Sequence, residues 1–100
     1  MQKLKWKRAT FKLALREPKQ DTREGISCGL FTIHREYVGC YKLSHLASGL
    51  ALMDYKRAAT ARQVAARLAS LPVDWTSPDP LRELAPEQRD EIKALVRSAA

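Results

Sequence analysis

The sequence predicts an α+β domain: a four-stranded antiparallel sheet packed on one amphipathic helix, with a second helix at the C-terminal end after a proline-rich crossing segment. Three observations carry this. Residues 4–54 alternate apolar and polar side chains in short runs broken near glycines, which is the period of half-buried strands. Residues 61–71 instead repeat apolar side chains at helical spacing. A chain of 100 residues has room for one hydrophobic core, so a single domain spanning 1–100 is expected.

The first strand is expected over about 4–15. Its apolar residues alternate as Leu4 and Trp6 and then, after a one-place slip, as Ala9, Phe11 and Leu13. One extra residue near Arg8 would shift the parity of everything after it, so the slip predicts a bulge there. Residues 17–25 are polar, with Pro18 and Gly25 at their ends, and read as a long connecting loop.

The segment LFTIHREYVGCYKLSH carries two β-type runs, about 30–36 and 41–46, around Gly39. A loop of Val38 to Cys40 sets Glu36 opposite Lys42. That register places Phe31, Ile33, Tyr41 and Leu43 on an inward face and Thr32, His34, Glu36, Lys42 and Ser44 on an outward one. A tight turn at Ser48 and Gly49 leads into a strand over about 50–54, with Leu50 and Leu52 returning to the side of Leu43.

The helix over about 61–70 is marked at its start by Thr60 and Gln63, the pattern of a capping box in which each side chain satisfies an amide of the first turn. Ala61, Val64, Ala65 and Leu68 form its apolar stripe, with Arg62, Gln63, Ala66, Arg67 and Ser70 facing outward. Three prolines between Leu71 and Leu81 force an extended crossing, which Trp75 is expected to pin by burying its indole. The last helix, over about 86–98, has Glu87, Asp90 and Glu91 early and Lys93 and Arg97 late, an order that suits the helix dipole.

Charge points to the class of partner. The chain has 18 Lys and Arg against 11 Asp and Glu, a formal net charge of +7. Residues 1–50 hold ten bases and four acids, a surplus of six, and residues 51–100 hold eight and seven, a surplus of one. Lys3, Lys5, Lys7, Arg8, Lys12 and Arg16 all precede the first acid, Glu17. On a strand, Lys3, Lys5 and Lys7 share a face, and such a ladder can follow a phosphate backbone and release its counterions. A second basic set, Lys56, Arg57, Arg62 and Arg67, lies in the acid-free stretch from Tyr55 to Val73. If the helix flanks the first strand, Arg62 and Arg67 extend the same patch.

Catalytic and metal signatures are weak by comparison. His34 and His45 have no neighbour at a ligand or dyad spacing, and Ser44 and Ser48 lack a glycine elbow. Cys28 and Cys40 lack CxxC spacing and are expected to be reduced thiols. The four glycines, Gly25, Gly29, Gly39 and Gly49, are dispersed and make no phosphate loop. No apolar run is long enough for a signal-peptide core or a membrane span, which predicts a cytoplasmic protein without a membrane partner.

The expectation is therefore a non-enzymatic basic domain, without metal or cofactor, that grips DNA or RNA mainly by its phosphates through Lys3, Lys5, Lys7, Arg8, Lys12, Arg16, Arg62 and Arg67. In its inferred order of four strands followed by a helix, the chain is similar to small single-strand-binding coactivator modules of the PC four type. That resemblance rests on topology and transfers no binding residue. The competing expectation is a protein-binding module, such as a phage or mobile-element inhibitor or accessory subunit, docking on an acidic partner. A third is a small hydrolase or nuclease using His34, His45 and a nearby acid. An exposed edge strand would also allow a homodimer.

Overall fold

The computed structural model describes residues 4–14, 20–82 and 84–99. Strands β1 (Lys7–Ala14), β2 (Gln20–Ser27), β3 (Phe31–Tyr37), β4 (Cys40–His45) and β5 (Ala51–Tyr55) form one antiparallel sheet in the order β1-β2-β3-β4-β5, followed by helices α1 (Ala58–Ala69) and α2 (Pro86–Ser98). The class is α+β, as expected, but the strands among the described residues number five and not four. The extra one is β2, in the stretch read from sequence as a loop. This also removes the strand count on which the likeness to PC four modules rested.

One face of β3, β4 and β5 carries the main core. α1 packs across these three strands and α2 reaches α1 and β5. Ala61, Val64, Ala65 and Leu68 of α1 bury against Phe31, Ile33, Leu43 and Tyr55, with Ile92 and Val96 of α2 closing the cluster. Fully burying one such aliphatic or aromatic side chain is worth about 1.5–3 kcal/mol, so this layer dominates the stability. Trp75 does pin the crossing segment: its indole N–H donates to the Leu68 carbonyl at 2.7 Å and its ring centroid lies 5.1 Å from that of Phe31. α1 starts at Ala58, two residues before the expected cap. Arg57 holds the N-cap position with no side-chain cap, so Thr60 and Gln63 lie inside the helix and form no capping box.

The register of the β3–β4 hairpin differs from expectation by two residues. Lys42 pairs with His34, not Glu36, because the chain turns at Val38–Gly39 and the ladder is irregular between Arg35 and Tyr37. A shift by two preserves side-chain parity, so Phe31, Ile33 and Leu43 still face the core. In the β4–β5 pairing the ladder shifts between Leu43 and Ser44. As a result Met53 stands opposite Leu43, while Leu50 is exposed and does not return to the core.

β1 begins at Lys7 and has no bulge: its pairing with β2 runs unbroken from Lys7–Ser27 to Ala14–Gln20. The slip in apolar parity has another cause. Leu4 and Trp6, ahead of the strand, pack on the helix-side core, whereas Phe11 is buried against His34 of β3, with ring centroids 5.9 Å apart. Phe11 thus covers the face turned away from α1, where Thr32, His34 and Ser44 are also buried. His34 and Ser44 were expected to point into solvent, but both are buried, His34 beneath Phe11 of the β1–β2 hairpin.

β2 joins β3 at only two ladder positions, Ile26–Ile33 and Ser27–Thr32. At the next residue, Gly25, the backbones come so close that an added Cβ would lie 2.2 Å from the Ile33 carbonyl oxygen. Glycine is what permits the approach. In this order β1 and β5 are the two edge strands.

Candidate functional site

The β1–β2 hairpin has two distinct faces, set by strand alternation. Arg8, Thr10 and Lys12 stand opposite Ile26, Glu24 and Thr22 in the ladder. Of these, Arg8, Thr10, Lys12, Thr22 and Glu24 are all exposed, whereas on the alternate face Phe11 is buried and Ala9, Arg23 and Gly25 are half-buried. The outer face is therefore a polar ribbon with two cations on one strand and a carboxylate on the other. At the body end of the ribbon, an open concavity of about 640 Å³ is lined by Arg8, Ala9, Thr10, Glu24, Gly25 and Ile26.

Of the cations expected to bind a partner, Lys5, Lys7, Arg8, Lys12, Arg62 and Arg67 are exposed, and Lys3 and Arg16 lie outside the described residues. The ion pairs seen among the described residues, His34–Glu36, Lys42–Glu36 and Lys42–Asp54, involve none of these six. Of the expected Lys3–Lys5–Lys7 ladder, Lys3 lies outside the described residues, and Lys5 precedes β1, which starts at Lys7. Lys5 sits between Leu4 and Trp6 on the way into the strand, Lys7 has the parity of Phe11, and Arg8 and Lys12 share the outer face.

Arg62 and Arg67 are on α1, whose principal neighbours are β3, β4, β5 and α2, so the helix does not run along β1. Sequence reasoning missed Thr22 and Glu24, because β2 carries one large apolar residue, Ile26, and its alternation is otherwise between polar side chains; it missed Thr10 because that residue of β1 carries no charge.

The remaining polar groups are accounted for by packing. The imidazole Nε2 of His34 donates to the Glu36 carboxylate at 2.9 Å, and Lys42 Nζ lies 3.4 Å from the same oxygen and 3.8 Å from Asp54. The hydrogen bond from His34, aided by Lys42 and opposed by partial burial, holds the Glu36 carboxyl below its ordinary range. His34 Nδ1 and Ser44 Oγ are buried with no hydrogen-bond partner.

His45, on the core side, is fully used: Nε2 donates to the Trp75 carbonyl at 2.6 Å, and Nδ1 is 2.8 Å from the Ser48 hydroxyl. Because a carbonyl can only accept, the neutral ring carries its proton on Nε2 and accepts from Ser48. Burial pushes the Tyr55 phenol up to about 12, and its hydroxyl donates to the Val96 carbonyl at 2.7 Å.

His34 and His45 lie on opposite faces of the sheet, one against Phe11 and one between Phe31 and Trp75, so they form no pair. Asp54 faces Lys42, and Asp74 accepts from the backbone and hydroxyl of Thr76. Among the described residues no three His, Cys, Asp or Glu side chains converge as metal ligands, both cysteines are free, and no helix is long and apolar enough to cross a membrane.

The outer face of the β1–β2 hairpin is thus an exposed polar surface whose two cations, Arg8 and Lys12, take part in none of the described ion pairs. Comparison with known proteins finds no matching family model, no matching curated protein and no matching solved structure.

Proposed function

We propose that this chain is a small non-enzymatic domain that binds nucleic acid, chiefly through phosphate contacts made by the N-terminal segment and the β1–β2 hairpin. The supporting observation is that Lys5, Lys7, Arg8 and Lys12 are exposed, outside the described ion pairs, and gathered on and beside one projecting hairpin of a chain with net charge +7. Cations so placed neutralise phosphates and release condensed counterions, so affinity falls steeply with salt. Four such contacts correspond to a slope of log affinity against log salt of about −3 to −4. Arg62 and Arg67 stand on α1, and the reading does not depend on them.

The test is fluorescence anisotropy of labelled single-stranded and duplex DNA and RNA, titrated with the protein at low and near-physiological salt. Micromolar or tighter binding that weakens with salt, and that is lost when Lys5, Lys7, Arg8 and Lys12 are together changed to Glu in a protein with unaltered circular dichroism, is the expected result. Absence of binding at low salt refutes the reading. The lysines of β1 then act as an edge guard against strand pairing, or as the docking face for an acidic protein partner.

A further inference from the structure

A surface that only neutralises phosphate has no use for a carboxylate, yet Glu24 stands directly across from Thr10, between the ladder positions of Arg8 and Lys12. The five exposed outer-face residues therefore offer a mixed set of donors and acceptors: a guanidinium, an ammonium, two hydroxyls and a carboxylate. This is the chemistry that discriminates base edges. Arg and Lys donate to guanine O6 and N7, Glu accepts from the cytosine amino group, and a Thr methyl packs on the thymine methyl.

The scaffold has matching dimensions. Eight ladder pairs make a ribbon about 26 Å long with strands about 5 Å apart, and the major groove of B-form DNA, about 12 Å wide, admits a two-stranded ribbon with its side chains. Only two ladder positions tie β2 to β3, so most of the ribbon projects beyond the sheet's pairing, and its apolar ring, Phe11, is turned inward onto His34. Its polar face is left free to meet a partner. Lys5 and Lys7 are exposed at the body end of the ribbon, Lys7 with the parity of Phe11, so they flank the base-reading face and do not belong to it.

We propose that the β1–β2 hairpin enters the major groove of duplex DNA with its outer face toward the base edges. Arg8, Thr10, Lys12, Thr22 and Glu24 read those edges, and Lys5 and Lys7 hold the adjacent backbone. The inference deepens the nucleic-acid reading above and rests on it. It selects B-form duplex DNA as the partner, because the A-form major groove of duplex RNA is too deep and narrow for side chains to read.

The test compares a DNA duplex of mixed sequence with an RNA duplex of the same sequence by anisotropy, and maps guanine N7 on the DNA by dimethyl sulfate footprinting. The expected result is a preference for the DNA duplex of about tenfold or more, with N7 protection over a stretch shorter than one helical turn. The double variant Arg8→Ala with Lys12→Ala should lose the protection, and Lys93→Ala with Arg97→Ala, an equal loss of charge on α2, should keep it. Equal binding of both duplexes, or binding without N7 protection, overturns the groove placement while leaving phosphate binding standing. Failure to bind any nucleic acid at low salt overturns both.

Discussion

The two faces of the sheet are built on different principles although they share the same strands. On the α1 side, large apolar groups interlock and the buried polar side-chain atoms of the described residues have partners: the Trp75 indole, the Tyr55 hydroxyl and both nitrogens of His45. On the hairpin side, Phe11 is buried on His34, Thr32 and Ser44 are buried on the same face of the sheet, and two polar atoms, His34 Nδ1 and Ser44 Oγ, lack partners. Unpaired buried polar groups each cost about 1–3 kcal/mol, so the second layer contributes far less than the first. The difference teaches that stability resides in the helix-side layer. The hairpin joins the rest of the sheet through two ladder pairs, through Phe11 on His34 and through Ile26 packed against the helix-side core, and Arg8, Thr10, Lys12, Thr22 and Glu24 stay exposed.

The sharpest way to break this comparison is to truncate one ring on each side. Phe31→Ala removes a fully buried ring from the helix-side core and should lower the unfolding free energy by about 3–5 kcal/mol in urea titrations. Phe11→Ala should cost clearly less, because a hairpin tied at two positions can settle into the vacated space. Equal losses would mean that the hairpin belongs to the same cooperative core.

A smaller effect is expected at high pH. The Tyr55 phenol ionises at about 12 when folded and near 10 when unfolded, so the native state favours the neutral form. Stability from this group is fully present below about pH 10 and is lost as pH rises toward about 12. Tyr55→Phe should flatten the loss in that window in pH-dependent melts, at a cost of about 1 kcal/mol near neutrality for the bond to Val96. An unchanged alkaline profile would show that this side of the core opens before Tyr55 ionises.

The smallest effects separate two serines. Ser48→Ala removes a hydroxyl that holds His45 and accepts from the Leu50 amide, and should cost about 1 kcal/mol. Ser44→Ala removes a buried hydroxyl with no partner and should leave the melting temperature unchanged or raise it. A substantial loss at Ser44 would show that its hydroxyl is satisfied in solution and that the hairpin-side layer is better built than its contacts indicate.

What could be read from the sequence follows the same division. The α1 stripe, the inward set Phe31, Ile33 and Leu43, the pinning role of Trp75 and the span of α2 were legible, because each buries side chains at a helical or strand period. β2 was not legible. It packs through the backbone at Gly25 and turns polar side chains such as Thr22 and Glu24 outward, so it carries no apolar period. The candidate site was half legible for that reason: the cations of β1 stood out by charge, and the partner strand that makes them one side of a ribbon did not.

By itself the sequence determined the class of the fold, the helix-side core and the basic character of the N-terminal half, since these depend on local periodicity and on counting charge. Tertiary structure alone decided that no bulge interrupts β1 at Arg8, that Arg62 and Arg67 sit on a helix lying across β3 to β5, and that His34 is buried and parted from His45. The physical reason is that strand parity says which residues share a face, but not which layer comes to cover it. Here one sheet is covered by helices on one side and by its own first hairpin on the other.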